Sequence, residues 1–562
     1  MKRRLVLILL IGIILIATIL RLWQLGNVPS SPDWDEVALG YDGFSLMQTG
    51  KDEFGKFLPV VLRSFDDYKP ALYAYLTIPP IFLFGLNVFA VRFPSAIFGI
   101  ISVIAVFFLI RELFQRHKYK DQLALLSSFL LAISPWSIQF SRVGFESNVG
   151  DSFNILLALF FIKGLKKPWM LSLSAVFAAL SIYTYQSEKV FTPLLILSLV
   201  LIFWKKLLLL PKKYLILAVL IGFIISLPMA MNILTDKSAL LRVKGTSIFS
   251  YQTEILKSSV GKIEEDLKNN DKLGLILDNR RVEYAKTIVA GYVSHFDFNW
   301  LFITGDIGRH HAPNMGLLYL FEFPFILLGI YFLIFGSLAD GFDKKTKLVI
   351  FAWFLLAPVP ASITTGVPHA VRTLNFLPIF QVFTAIGFLS AYIFIKNQDL
   401  RFKTYDLRRI FIFLCLTSYV LFSVVNVIYY LDQYFVQQNY YSSADWQYGY
   451  KQAVEEMKMI ENNYNEIVIS DNQPMDKSYM FFLFYLKYPP SEYQKIGENS
   501  SGSFTAHHSF GRYTFRSIDW TKDSVRKNVL YIGSPKDIPD GANTIKTIYN
   551  FDGTPAIRIV GT

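Results

Sequence analysis

The chain opens Met1-Lys2-Arg3-Arg4 and then runs without a charge from Leu5 to Leu20. A cleaved leader would show a small-x-small site after such a run. Arg21-Leu22-Trp23 follows instead, so the pattern predicts a first membrane helix entered from its cytoplasmic end. Further uncharged runs are long enough to cross the hydrocarbon at about 1.5 Å per residue. They are Phe93–Ile110, Gln122–Ser141, Pro168–Ser187, Tyr214–Thr235, Phe323–Ala339, Leu348–Val371, Thr373–Ile395 and Ile410–Leu431. Weaker runs at 148–165 and 190–204 bring the expected total to about eleven. The apolar segment 71–89 is broken by Pro79-Pro80 and reads as a re-entrant or interfacial helix.

Basic clusters orient these runs. Arg111–Lys120, Lys163–Lys167, Lys205–Lys213, Lys344–Lys347 and Lys396–Arg409 fall at alternate connections, if 71–89 does not cross. They then share one side with the N-terminus, the cytoplasmic one. Outside lie loops 22–92, 141–148 and 236–313, and the tail 432–562. The tail is polar, with strand-like stretches at Glu466–Ser470 and Val529–Gly533 and a helix-like one at 445–461. It predicts a small α/β domain. The expected architecture is an all-α polytopic membrane domain, 1–431, followed by an extracytoplasmic α/β domain, 432–562, in a multi-pass protein of the cytoplasmic membrane.

Composition agrees. Apolar residues make up 53% of the 562 and charged ones 17%, against about 25% charged in ordinary soluble domains. That excludes a soluble enzyme and a disordered chain. The net charge of +12 is first a topology signal, and no nucleic-acid partner follows from it. The lone Cys415 excludes an intrachain disulfide and a cysteine-based zinc site.

Ionisable residues with no topological purpose mark function in membrane proteins, and here they collect at outer helix ends. The first loop carries Asp35-Glu36 and Lys69-Pro70, and the second Arg142 and Glu146. The third ends Gly305-Asp306-Ile307-Gly308-Arg309-His310-His311, with Glu322 starting the next run. His369 and Arg372 stand between two apolar runs. Plainer roles exist for several. Asp35-Glu36 suits a helix N-terminus, Arg142 and Glu146 have i,i+4 spacing, and His310-His311 suits a surface. No spacing is that of a metal site, so participation of a divalent metal stays open. As a set, the carboxylates and cations fit group transfer from a lipid phosphate. A carboxylate serves as general base toward an acceptor hydroxyl, and Lys or Arg meets the leaving phosphate. Neighbouring helical residues differ by about 100°, so Asp35 and Glu36 cannot both face one hydroxyl.

The Asp-Glu pair soon after the first run, then Lys69-Pro70, then Arg92-Phe93-Pro94-Ser95, resembles the GT-C superfamily of membrane glycosyltransferases. Within it the similarity is to family 39, with the protein O-mannosyltransferases and the lipid A aminoarabinose transferase. The 305–310 stretch, Leu318–Pro324 and Pro368-His369-Ala370-Val371-Arg372 resemble bacterial members. The resemblance covers roughly 1–431. It implies Asp35 as catalytic base with Glu36 beside it, and Lys69 as a donor-phosphate contact, with Arg142 and Arg372 as further candidates. Glu146, Arg309, His310, His311, Glu322 and His369 remain active-site candidates; Glu146 stands where family members often have Asp. A polyprenyl-phosphate-linked sugar donor, inversion at the anomeric carbon, and a lipid, glycan or protein acceptor are implied. A transporter or flippase of a lipid-linked sugar is the alternative, though it favours repeated halves with midplane charges, which the sequence lacks. A polysaccharide polymerase or ligase is another, but needs no Asp-Glu pair after the first helix.

Overall fold

The structure, a computed structural model, describes residues 2–65, 67–236, 245–249, 254–336, 342–397, 407–496 and 508–562. The end of the expected run Phe323–Ala339 and parts of loop 236–313 and connection 396–409 lie outside these residues. The chain forms two compact units. One comprises Met1–Ala17, Ile101–Ser137 and Gly150–Val427; the other comprises Thr18–Ile100, Ile138–Val149 and Ile428–Thr562. Residues 18–100 and 138–149 group with the tail from Ile428 onward.

Among the described residues, seven helices are long and apolar enough to cross a membrane. An eighth span results if Lys120–Ile133 and Pro135–Ser141, bent by 58°, are one broken crossing. Helix length and composition therefore give fewer than the expected eleven. Pro168–Ser187 is helical only over Met170–Ser181, 12 residues. Phe323–Ala339 yields Glu322–Phe335, 14 residues. The segment at 148–165 forms a 19-residue helix, Glu146–Gly164, whose first turns carry Glu146, Asn148, Asp151 and Asn154. Helix α1 is Arg3–Leu22, α2 Trp34–Thr49, α3 Leu72–Phe84 and α4 Val88–Leu113. At 13 residues, α3 is about 20 Å long, short of the roughly 30 Å of hydrocarbon.

The expected run Leu348–Val371 is interrupted. Helix persists over Lys344–Leu356 and Val359–Ser362, and an irregular stretch follows before Leu374–Phe376 and Ile379–Asn397. Pro358, Pro360 and Pro368 supply no backbone donors and restrict the residues before them. His369 and Arg372 sit in the opening this creates.

In the first unit, Glu322–Phe335 crosses Ile379–Asn397 at backbone contact. A Cβ on Gly329 would lie 2.0 Å from the Phe383 carbonyl oxygen, and one on Gly387 would lie 2.0 Å from that of Phe325. Close approach through small residues is how helices pack where lipid removes the hydrophobic drive between them.

In the second unit, strands β1 (Val61–Ser64) and β2 (Asp67–Pro70) form an antiparallel pair that sets Leu62 opposite Lys69. The tail builds a six-stranded sheet from β3 (Glu466–Ile469), β4 (His508–Phe510), β5 (Tyr513–Phe515), β6 (Val529–Gly533), β7 (Thr544–Tyr549) and β8 (Pro555–Gly561). Its order is β4-β5-β3-β6-β8-β7, and β3 runs parallel to β5 and β6. Both expected strands and the expected helix, observed as Tyr450–Ile460, are present. One core joins this domain to the first loop: Val37, Tyr41 and Val91 pack with Met480, Phe484 and Ile469. Helix α2 approaches its neighbours through glycines; a Cβ on Gly43 would meet Thr77 Oγ1 at 2.0 Å, and one on Gly40 would meet Val91 Cγ2 at 2.5 Å.

Valine at Gly329 or Gly387 should lower the denaturation midpoint of the detergent-solubilised protein, since overpacking costs about 1–3 kcal/mol. Gly12→Ala adds its methyl to open space within α1 and should not lower the midpoint. Equal midpoints for all three variants would mean that the crossing is not tight.

Candidate functional site

The candidate residues fall into two groups, one within each unit. In the second unit the start of α2 sets the geometry. Asp33 caps the helix, accepting the Glu36 N–H at 2.9 Å, while Glu36 Oε2 accepts the Asp33 N–H at 3.1 Å. This is a reciprocal capping box. Glu36 has no solvent exposure. Its Oε1 also accepts Arg92 Nε at 2.8 Å and the Gly144 N–H at 2.8 Å, and Oε2 accepts Arg92 Nη2 at 3.0 Å. Arg92 spends its other donors on the carbonyls of Leu25, Pro29 and Ser31 at 2.8–3.1 Å.

Asp35 departs from the helix in another direction. Its Oδ1 accepts from Lys69 Nζ, and its side chain stays 30% exposed while that of Lys69 is 7% exposed. Burial opposes the charge on Lys69, but the Asp35 and Glu146 carboxylates hold the ammonium above the ordinary lysine value. Glu146 is buried ahead of the apolar part of its helix. Burial pushes its carboxyl up to about 7, with Lys69 pulling the other way. The cluster thus holds one accessible carboxylate, one buried cation and one buried acid that titrates near neutrality.

Arg142 is fully buried. Its Nη1 donates to the Leu20 carbonyl at 2.9 Å and Nη2 to that of Val28 at 3.1 Å. Its guanidinium lies 4.8 Å from the centre of the Phe435 ring and 5.5 Å from that of Tyr434. Among the described residues it makes no ion pair with Glu146.

In the first unit, Asp306 and His310 form a hydrogen-bonded pair, Nδ1 to Oδ2 at 2.9 Å. The Ala370 N–H donates to the same Oδ2 at 2.7 Å. The rings of His310 and His369 lie 5.1 Å apart, and the His369 N–H donates to His295 Nε2 at 3.2 Å. The ligand-capable atoms of Asp306, His310 and His369 all lie within 4.8 Å of one another. Burial, with Arg372 nearby, lowers the His369 pKa well below the usual histidine value; burial lowers that of His310 as well. Asp306 is held below the usual carboxylate range despite its burial, through the His310 hydrogen bond.

Other candidates take structural partners. Arg372 donates to Thr364 Oγ1 and the Thr365 carbonyl, both at 2.6 Å. His311 Nδ1 contacts the Ala312 carbonyl at 2.7 Å. Buried Glu322 accepts the Tyr319 N–H at 3.2 Å. Arg309 is half-buried in the His310 loop.

Sequence reasoning quoted Arg92 only as a motif residue and missed it as the partner of Glu36, 56 positions away. It also passed over Asp42 and Glu53, both buried, where the Glu53 N–H donates to Asp42 Oδ1 at 3.0 Å. The concentration of acids within residues 33–67 was the available signal.

The family model of the dolichyl-phosphate-mannose-protein mannosyltransferases matches residues 68–231, a stretch that includes Lys69, Arg142 and Glu146. Apo ArnT from Cupriavidus metallidurans is similar in structure with a TM-score of 0.53 at 10% identity, over 98% of this chain and 97% of ArnT. ArnT bound to undecaprenyl phosphate gives 0.52 at 12% identity, over the same shares. The apo oligosaccharyltransferase of Archaeoglobus fulgidus gives 0.48 at 12%, over 86% of this chain; the chain spans 64% of that protein's length. No curated protein matches. The chain has the ArnT fold, and with the family match this bears out the resemblance to the GT-C superfamily.

Glu36→Ala should destabilise the protein by roughly 3–5 kcal/mol, because it strands a buried guanidinium. The check is the denaturation midpoint in detergent. A midpoint equal to wild type would show that the Glu36–Arg92 pair does not hold the second unit together.

Proposed function

We propose that the protein is a membrane glycosyltransferase that moves a sugar from a polyprenyl-phosphate-linked donor to an acceptor hydroxyl. The observation that carries this reading is the Asp35–Lys69 pair, a partly exposed carboxylate fixed beside a buried cation at a helix start. The family match and the ArnT fold, in a protein whose relative is seen with undecaprenyl phosphate, support it. Asp35 is the general base. As the acceptor oxygen bonds to the anomeric carbon, its proton passes to Asp35, and the bond from that carbon to the phosphate oxygen breaks with inversion. Lys69 donates to Asp35 and so fixes its carboxylate, and it supplies positive charge to the leaving polyprenyl phosphate.

Glu36 serves as a positioning residue, since both its oxygens are occupied by the scaffold. Arg142 likewise braces the structure through backbone carbonyls and aromatic rings. The acceptor is a lipid, glycan or protein, and the reaction takes place on the outer face of the cytoplasmic membrane.

Purified protein incubated with a panel of polyprenyl-phosphate sugars should release polyprenyl phosphate from one of them. Asp35→Asn should lower turnover by roughly 10²–10⁴-fold, the worth of a general base, with donor binding retained. Near-normal turnover in Asp35→Asn would remove it from the role.

Sidedness has its own test. With Cys415 replaced, single cysteines at exposed Lys527 and Lys118 are challenged in intact cells with an impermeant thiol reagent. Lys527→Cys should react and Lys118→Cys should stay silent. The reverse pattern would place the tail in the cytoplasm.

A further inference from the structure

We infer that Asp306, His310 and His369 form a binding site for a divalent transition-metal ion of the zinc class. Among the described residues this is the one group of three histidine, cysteine or carboxylate side chains close enough to share an ion, with ligand atoms within 4.8 Å of one another. Ligand atoms around tetrahedral zinc stand about 3.3 Å apart, as bond lengths near 2.0–2.1 Å require. Small side-chain rotations close that difference.

The donor set selects the metal. Two imidazoles and one carboxylate suit zinc, cobalt or iron, whereas magnesium and calcium prefer oxygen ligands alone. Histidine binds metal through a ring nitrogen, and the His310 and His369 rings lie 5.1 Å apart. His369 Nδ1 is buried and has no hydrogen-bond partner among the described residues, a cost that a ligand would relieve.

The surroundings hold the ligands in place, as outer-shell partners do at metal sites. The Ala370 N–H fixes the Asp306 carboxylate at 2.7 Å. His295 Nε2 accepts the His369 backbone N–H, and its Nδ1 contacts the Gly291 carbonyl at 2.7 Å. His295 is thereby engaged on both nitrogens and serves as support. His311 turns to the Ala312 carbonyl and is outside the set. Three protein ligands leave coordination positions open. An ion would also join the 305–311 loop to the 366–372 loop.

The site is independent of the transferase reading, because its test reads metal and not activity. The full chain, purified in detergent with any affinity tag removed, is stripped with chelator and titrated with zinc or cobalt. About one equivalent should bind, cobalt should give visible d–d absorption, and zinc should raise the denaturation midpoint. His310→Ala and His369→Gln should each weaken binding at least about 100-fold, more than loss of an outer-shell partner. His311→Ala should bind as wild type does. Should a ligand variant fail to fold, the wild-type titration decides alone. No cobalt band and no zinc-dependent rise in midpoint, or equal loss in His311→Ala, would overturn the site.

Discussion

The second unit depends on one buried ion pair. Arg92 has five N–H donors, and all five are used: two on Glu36 and three on the carbonyls of Leu25, Pro29 and Ser31. Burying two charges is favourable only when geometry and hydrogen bonds are nearly complete, and here they are. The pair ties α4 to the chain that leaves α1, to the first turn of α2 and, through Gly144, to the short second loop. With Glu36 fixed inward, the helix rotates Asp35 by about 100° toward Lys69. The direction of the proposed base is therefore set by a neighbour whose own carboxylate is held by Arg92 and Gly144.

The position of Asp35 was legible because acids after a first membrane run need a reason to be there. Neighbouring helical carboxylates diverge as their spacing requires: Asp35 meets Lys69 and Glu36 meets Arg92. What the spacing could not supply was which neighbour turns inward, since Arg92 is 56 positions from Glu36 and nothing local pairs them. Arg142 shows the same limit. Its i,i+4 spacing to Glu146 invites an ion pair, but Ser141 ends one helix and Glu146 starts another. Helical spacing has no meaning across that break.

In the fold, hydropathy found the long helices and lost the short ones. A run such as Pro168–Ser187 is apolar throughout, yet only its centre is helical, because an uncharged sequence is equally compatible with turns packed inside protein. The interruption after Ser362 was written in Pro358, Pro360 and Pro368, which hydropathy does not weigh. The tail was easier. Buried parallel strands read as continuous apolar runs, and β3 and β6 are of that kind, whereas β4, β5 and β7 are short or half-exposed and left no such trace.

The polar groups of this chain divide by how completely their bonding capacity is spent. Glu36 and Arg92 have their bonding capacity occupied by the scaffold. Asp35 keeps solvent access beside a buried cation, and His369 keeps a buried ring nitrogen without a partner among the described residues. Retaining unspent capacity costs stability, so a fold can tolerate it only where saturated neighbours fix the backbone. The capping box and Arg92 hold the helix start that carries Asp35. Ala370 and His295 hold the Asp306 and His369 loops. In the first unit, then, the buried His369 Nδ1, without a partner among the described residues, stands in loops whose backbone is fixed by neighbouring hydrogen bonds.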